Sequence, residues 1–234
     1  MAVDPFRVVR DFESALCEYT GASFAVTTTS CTMALLLAVA WHLREPRIRK
    51  AHAGDFGRSQ FVDIDHVLDT RSQRIEIPRH TYVSVPMSII HAGGRPTFRD
   101  EDWRGAYRLM PLPVHDCARR FTGGMYLGDV APCYDFSGHM QCVSFHHSKI
   151  LGDSQGGAIL HDDPEADKWL RRARFDGRTE GVDPKDDEIM LGYHCYLSPD
   201  VAARLLWRLS KLPAHNEDLE NDQYPDLSQM EIFK

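Results

Sequence analysis

Lys149 closes the run Ser144-Phe145-His146-His147-Ser148-Lys149, which leaves an apolar stretch and enters a turn ahead of Gly156-Gly157. A protonated lysine amine is a poor nucleophile. In a partly desolvated pocket beside other cations its pKa falls, and it can form a Schiff base with an aldehyde. The plainer alternative is a surface lysine after a strand. Asp116 follows another apolar run, Leu112-Pro113-Val114. Ligand groups in α/β folds gather at strand carboxyl ends, where a carboxylate can accept from a protonated ring nitrogen. Alternatively Asp116 caps a helix beginning at Cys117.

Two more segments suit the same chemistry. Thr27-Thr28-Thr29-Ser30-Cys31-Thr32 separates a β-rich run, Phe24 to Val26, from the apolar run Met33 to Ala40. Hydroxyls and N–H groups at such a helix start form a phosphate site, and an ordinary Ser/Thr cap has the same pattern. Tyr82, in Pro78-Arg79-His80-Thr81-Tyr82, can stack on a flat ring or fill a core.

Alternating elements must hold these segments. Asp4-Pro5 opens a helix with Phe6, Val9, Phe12, Leu16 and Tyr19 on one side, and Thr20-Gly21 ends it. Strand Phe24–Val26 feeds a helix from Thr32 to about Leu43. Residues 44–73 are polar, with a short helix near Asp65 to Leu68. Strand Arg74–Ile77, a helix near Val83 to Ala92 and a strand Pro96–Phe98 follow. Strand Leu112–His115 precedes a short helix. Met140–Phe145 and Gly157–Leu160 form a strand pair around the lysine turn. Asp163-Pro164 and Ser198-Pro199 open the last two helices, through about Ala173 and Leu209. The fold class is α/β: a three-layer, mostly parallel sheet with helices on both faces. Arg178 to Asp187, rich in charge, Gly and Pro, reads as a mobile loop near the site.

Composition narrows the partners. The chain has 234 residues, 43% hydrophobic and 26% charged, as in ordinary globular domains. A net charge of −7 argues against a nucleic-acid surface. The basic runs Arg44 to Lys50 and Arg171 to Arg174 read as solvated helix faces or ends. The longest apolar run, Met33 to Trp41, is too short for a membrane span. No signal peptide is read at the start, and the six cysteines form no CxxC pair. Reduced thiols in the cytoplasm are expected. No metal site is expected, because His115, Cys117, His139, His146 and His147 lack a recognised ligand spacing; His146 reads as a pocket residue.

Taken together, the segments resemble the DegT/StrS-type sugar aminotransferases, pyridoxal-phosphate enzymes of fold type I. The likeness runs from about Phe12 to Leu212. It rests on Phe12-Glu13 with Tyr19-Thr20-Gly21, Thr29 to Leu35, Pro78 with Thr81-Tyr82, Ala92 to Pro96, Asp116-Cys117-Ala118, Ser144-Phe145 with Lys149, Gly156-Gly157, and Gly192-Tyr193 with Ala202-Ala203. The resemblance implies that Lys149 bonds pyridoxal 5'-phosphate and shuttles a proton, and that Asp116 pairs with the pyridine nitrogen. It implies that Ser30, Cys31, Thr32 and Ser144 hold the phosphate and that Tyr82 stacks on the ring. Arg119 stands where the family has a glutamine or histidine on the ring oxygen. His194 stands where an asparagine reaches the partner subunit's phosphate, so a homodimer with shared sites is implied.

The implied reaction moves an amino group from an amino-acid donor such as glutamate to a keto-sugar, commonly nucleotide-linked. The alternatives are elimination or decarboxylation with the same cofactor on a larger or polymer-attached substrate, and a non-catalytic binding module. Besides Arg119, three further departures stand out. Cys31 replaces a glycine of the phosphate turn, the stretch from Asp100 to Asp116 is short, and a polar tail stands where the family continues into a small domain. The expected organisation is a trimmed cofactor-binding domain over 1–212 and that tail over 213–234.

Overall fold

The computed structural model describes residues 4–44, 73–126, 138–221 and 224–234. In chain order its helices and strands are α1 (Arg7–Thr20), β1 (Phe24–Thr28), α2 (Cys31–Leu43), β2 (Arg74–Pro78), α3 (Ser84–His91), β3 (Arg95–Arg99), β4 (Tyr107–Leu109), β5 (Val114–Asp116), β6 (Met140–Ser144), β7 (Gly157–His161), α4 (Pro164–Ala173) and α5 (Pro199–Leu209). The short helix expected near Asp65 to Leu68 lies outside the described residues.

β1, β7, β6, β5 and β4 pair in that order. β2 and β3 form a parallel pair that reaches the β4 edge through Glu76 and Met110, whose N–H groups donate to each other's carbonyls at 2.8 and 3.0 Å. β4 and β7 run antiparallel to their neighbours, so the sheet is mixed, with five strands in one direction.

Alternation along the strands divides the interior. Val26, Cys142 and Ile159 face one core with α2, α3 and α4. Ala25, Val143, Ala158 and Leu160 face the other with α1 and α5. These are the period-two faces of one sheet covered on both sides. α2 is apolar nearly all round and buries Leu35, Leu36, Leu37 and Val39, as a central helix must. α1 is amphipathic and stops at Gly21, whose φ of 82° suits glycine and whose N–H donates to the Cys17 carbonyl. Asp163 caps α4 through the amides of Glu165 and Ala166. Among the described residues, no helix is long and apolar enough to cross a membrane.

Two expectations around Asp116 need correction. Pairing begins at Val114 rather than Leu112, because Pro111 and Pro113 have no N–H to donate. Among the described residues, 117–126, no helix follows β5. The Cys117 amide continues the sheet by donating to the Cys142 carbonyl, and Asp116 Oδ1 accepts from the Ala118 amide, so the chain turns instead. Asp116 is therefore not a helix cap. β4 itself was not anticipated: the short stretch from Asp100 to Asp116 folds back on β5, with Tyr107 opposite Asp116.

Candidate functional site

Four chemistry-bearing segments leave the carboxyl ends of strands that run the same way. Ser30-Cys31-Thr32 follows β1, Thr81-Tyr82 follows β2, Asp116 ends β5, and Ser144 ends β6 with Lys149 in the next turn. A cavity of about 320 Å³ opens among them. Of the expected site residues, Ser30, Cys31, Thr32, Tyr82, Asp116, Arg119, Ser144 and Lys149 line it together. His194 does not. It is exposed on the surface and held by Asp176 at 3.1 Å, three residues after the strongly exposed Leu191.

The α2 start opens on the cavity with hydroxyls and backbone amides. First-turn amides have no partner within a helix, and Ser30 caps only the Met33 amide, at 3.2 Å. Thr32 Oγ1 and Ser84 Oγ share a hydrogen bond of 2.8 Å beside that turn. The close approach of β7 to the turn requires glycine at 157, where an added Cβ would lie 2.5 Å from the Cys31 nitrogen. The Cys31 side chain turns inward, its Sγ 3.6 Å from the Cys142 carbonyl oxygen.

Lys149 is half-buried, and its amine is held below its ordinary value, first by burial and then by the Arg119 guanidinium, against the pull of Asp116. Asp116 is 5% exposed. Burial pushes its carboxyl up, against the Ala118 amide, the Tyr107 hydroxyl, Lys149 and Arg119. Tyr107 donates to Asp116 Oδ2 at 2.7 Å and meets Thr81 Oγ1 at 2.6 Å. His146, also on the cavity wall, shares a 3.0 Å bond with Ser148. Burial and the neighbouring His147 and Lys149 move its imidazole down.

Tyr82 is 57% exposed, so it is not a core aromatic. It stands edge-on to Tyr224, which lies parallel to Trp103 with centroids 6.4 Å apart. Tyr224 comes from the tail. The Leu219 amide donates to the Arg119 carbonyl, the Leu227 amide to the Arg79 carbonyl, and Leu227 is fully buried. The Tyr224 carbonyl lies 3.0 Å from His80 Nδ1, and Arg119 Nε donates to the Tyr224 hydroxyl at 3.4 Å. Sequence reasoning missed Trp103, Tyr107, Ser84, Gln155 and Tyr224. An isolated tyrosine in a polar tail, and two aromatics in an otherwise shortened segment, were the available signals. Residues 178–187, expected near the site, are bound internally by Thr179 and Asp187, and among the described residues none of them lines this cavity.

The DegT/DnrJ/EryC1/StrS aminotransferase family model matches residues 4–46 and 114–222, more than half of the chain. The chain belongs to this family. It is 28% identical over 226 residues to the UDP-4-amino-4,6-dideoxy-N-acetyl-beta-L-altrosamine transaminase of Campylobacter jejuni subsp. jejuni serotype O:23/36 (strain 81-176). That alignment covers 91% of this chain and 59% of the relative, so this family member spans well under two thirds of that relative's length. A sugar aminotransferase from Micromonospora echinospora superposes with a TM-score of 0.62 at 18% identity, over 88% of this chain and 61% of that one. NtdA from Bacillus subtilis, solved with bound PMP, superposes with a TM-score of 0.60 at 15% identity, over 88% and 48%. Both structures share the fold, that of fold-type I pyridoxal-phosphate aminotransferases.

Proposed function

We propose that this chain binds pyridoxal 5'-phosphate in the Lys149 cavity and transfers an amino group from an amino-acid donor to a keto-sugar. The observation that carries the reading is the cavity's donor set. A lysine with a depressed pKa and a buried, incompletely neutralised carboxylate flank one space that opens onto a helix start rich in hydroxyls. That set fits the cofactor. Asp116 is buried with its pKa raised, and a protonated ring nitrogen is a group that relieves such a charge. Ser30, Thr32 and Ser144 with the first α2 amides suit a phosphate, and the Cys31 thiol is turned towards the Cys142 carbonyl. Tyr82 offers a ring face, and Arg119 offers N–H groups beside it.

When bound, pyridoxal phosphate supplies an aldehyde carbon and a ring that accepts electrons. The chain supplies the rest. Lys149 Nζ, its pKa lowered, would be available as a neutral amine to hold the aldehyde carbon, and the same amine would carry a proton at the donor carbon. Asp116, as a carboxylate, would accept from the ring nitrogen's N–H. His146 keeps a neutral imidazole near the Lys149 turn, able to accept a proton. Trp103, Tyr224 and Tyr82 form an aromatic wall on which the apolar face of a sugar can pack.

The Campylobacter relative is named for a UDP-linked amino sugar. This supports a nucleotide-linked keto-sugar as acceptor, with glutamate as donor. We place the protein in the cytoplasm, on the strength of its free thiols, and as a homodimer in which His194 reaches the partner's phosphate site. The exposure of His194, Leu191 and Ile189 on one loop supports that docking. A monomer by light scattering would overturn the dimer.

The decisive test is the visible spectrum of the purified protein with added pyridoxal phosphate, beside Lys149→Ala. The expected result is a long-wavelength band that the variant lacks and L-glutamate bleaches. A band that glutamate leaves untouched would point to a different donor or to elimination or decarboxylation. No band would make the chain a binding module on this fold.

A further inference from the structure

The shortened segment before β5 brings a residue to Asp116 that sequence reasoning did not identify. β4 pairs antiparallel with β5, and the register sets Tyr107 directly opposite Asp116. Both are buried, Tyr107 at 4% and Asp116 at 5% exposure. Tyr107 Oη lies 2.7 Å from Asp116 Oδ2 and 2.6 Å from Thr81 Oγ1, and Thr81 is itself 1% exposed. Trp103 packs edge-on against the Tyr107 ring at 4.7 Å and is tied by its indole N–H to the His80 carbonyl. The phenol is thereby fixed by packing as well as by hydrogen bonds.

Counting protons gives the chain of bonds a direction. A tyrosine hydroxyl carries one hydrogen. An ionised Asp116 can only accept, so the Tyr107 hydrogen goes to Asp116, and the Thr81 hydroxyl must donate to the Tyr107 oxygen. We propose that Thr81, Tyr107 and Asp116 form a buried hydrogen-bond relay in which Tyr107 is a positioning residue, keeping the Asp116 carboxylate ionised and aimed at the ring nitrogen of the cofactor. This rests on the function proposed above. Tyr107 is the part of the relay contributed by the trimmed segment. It acts through Asp116 and does not line the cavity.

The surroundings of Asp116 leave the relay work to do. Lys149 and Arg119 favour its charge from the turn after β6 and the loop after β5, and burial opposes it. Cys31 from α2, Cys142 from β6 and Cys117 next in sequence are close. Burial pushes all three thiols up, so they stay neutral and neutralise nothing. Burial, with Asp116 beside it, pushes the Tyr107 phenol well up too, so Tyr107 remains a donor across the working pH range. Among the described residues, the Tyr107 hydroxyl and the Ala118 amide hydrogen-bond the carboxylate oxygens. Losing a donor to a charged acceptor raises a carboxyl pKa by about one unit or more.

Tyr107→Phe removes the hydroxyl and keeps the ring. Two readouts test it. In cofactor-free protein with ¹³Cγ-labelled aspartate, the Asp116 resonance, assigned with Asp116→Asn, should titrate about one pH unit higher in Tyr107→Phe than in wild type. In the loaded protein, the acid limb of pyridoxal-phosphate affinity, followed by equilibrium dialysis across pH, should move up by a similar amount. Thr81→Val should move both in the same direction by less. A packing role alone would lower the melting temperature and leave both titrations in place, which would overturn the proposal. If the wild type binds no cofactor, the proposed function fails, and the carboxyl titration still decides the relay: a shift of the Asp116 resonance upholds it, and no shift removes it.

Discussion

Two buried carboxylates in this fold have opposite lives. Glu13, on α1, is enclosed by partners. Arg174 pairs with one of its oxygens, which also accepts from the Thr27 amide and hydroxyl at 2.9 and 2.7 Å, and Arg171 bonds the other at 2.6 Å. Burial pushes its carboxyl up, but the two guanidiniums prevail and hold it at about 2. Asp116 has hydrogen bonds from one phenol and one amide, and its carboxyl sits above its ordinary value. The groove beside Glu13 is larger, about 770 Å³, yet the charges there are already matched. The smaller cavity holds the mismatch. A buried charge completed by its own chain staples a fold, and one left incomplete is reserved for a ligand.

Lys149→Ala should have the largest effect. Without the amine, half-transamination with glutamate should fall by about 10³-fold or more in stopped-flow absorbance, because the proposed function gives Lys149 both the covalent anchor and the proton carrier. The melting temperature should stay near wild type. Collapse of the fold in this variant would mean that the cavity, too, is structural, and the contrast between the two carboxylates would be lost.

The carboxylates themselves come next. Glu13→Gln leaves Arg174 buried beside a neutral amide and should cost about 3–5 kcal/mol in urea unfolding, while the folded fraction still binds cofactor. Asp116→Asn should leave the cofactor-free protein as stable as wild type or more so, since it removes a charge whose burial outweighs its partners, and should still abolish glutamate turnover. Equal destabilisation by both variants would erase the distinction.

Their pH dependence has opposite signs. The Glu13 pKa is depressed in the fold, so its stabilisation is complete above the ordinary 4.5 and is lost as pH falls towards about 2. The gap in melting temperature between wild type and Glu13→Gln should therefore close over that window. The Asp116 pKa is raised, so its ionisation costs stability as pH climbs above the ordinary 3.8. Asp116→Asn should gain on wild type over the same rise. Melting curves from pH 2 to 7 would read both.

The sequence carried the cavity better than it carried the reasons for it. Lys149, Asp116, Ser144 and the Ser30-Cys31-Thr32 turn could be placed because each follows an apolar run, and strand ends that share one direction converge. Glu13 was read only as part of a motif. Its two arginine partners lie more than 150 positions away on α4 and just beyond it, and no local pattern announces such a pair. Tyr107 was missed for a related reason. Leu112-Pro113-Val114 drew the strand to the wrong residues, and the β4–β5 register that sets Tyr107 against Asp116 is a tertiary fact. His194 was expected at the partner subunit's phosphate, and in a single chain it faces solvent.

Tyr82 offers the mildest and most discriminating change. Its ring is more than half exposed at the cavity mouth and carries no core packing, unlike the fully buried Phe12 on the Glu13 side. Tyr82→Leu removes a flat face and keeps apolar bulk, so pyridoxal-phosphate affinity should weaken by about 2- to 12-fold, the worth of one aromatic contact. The melting temperature of the cofactor-free protein should not move. Phe12→Leu should do the reverse, lowering that temperature through a core void and leaving affinity alone. If Tyr82→Leu changes neither quantity, the ring lies outside the cofactor's reach. The aromatic wall of Trp103 and Tyr224 would then belong wholly to the acceptor, which a sugar-binding titration of the same variant would detect.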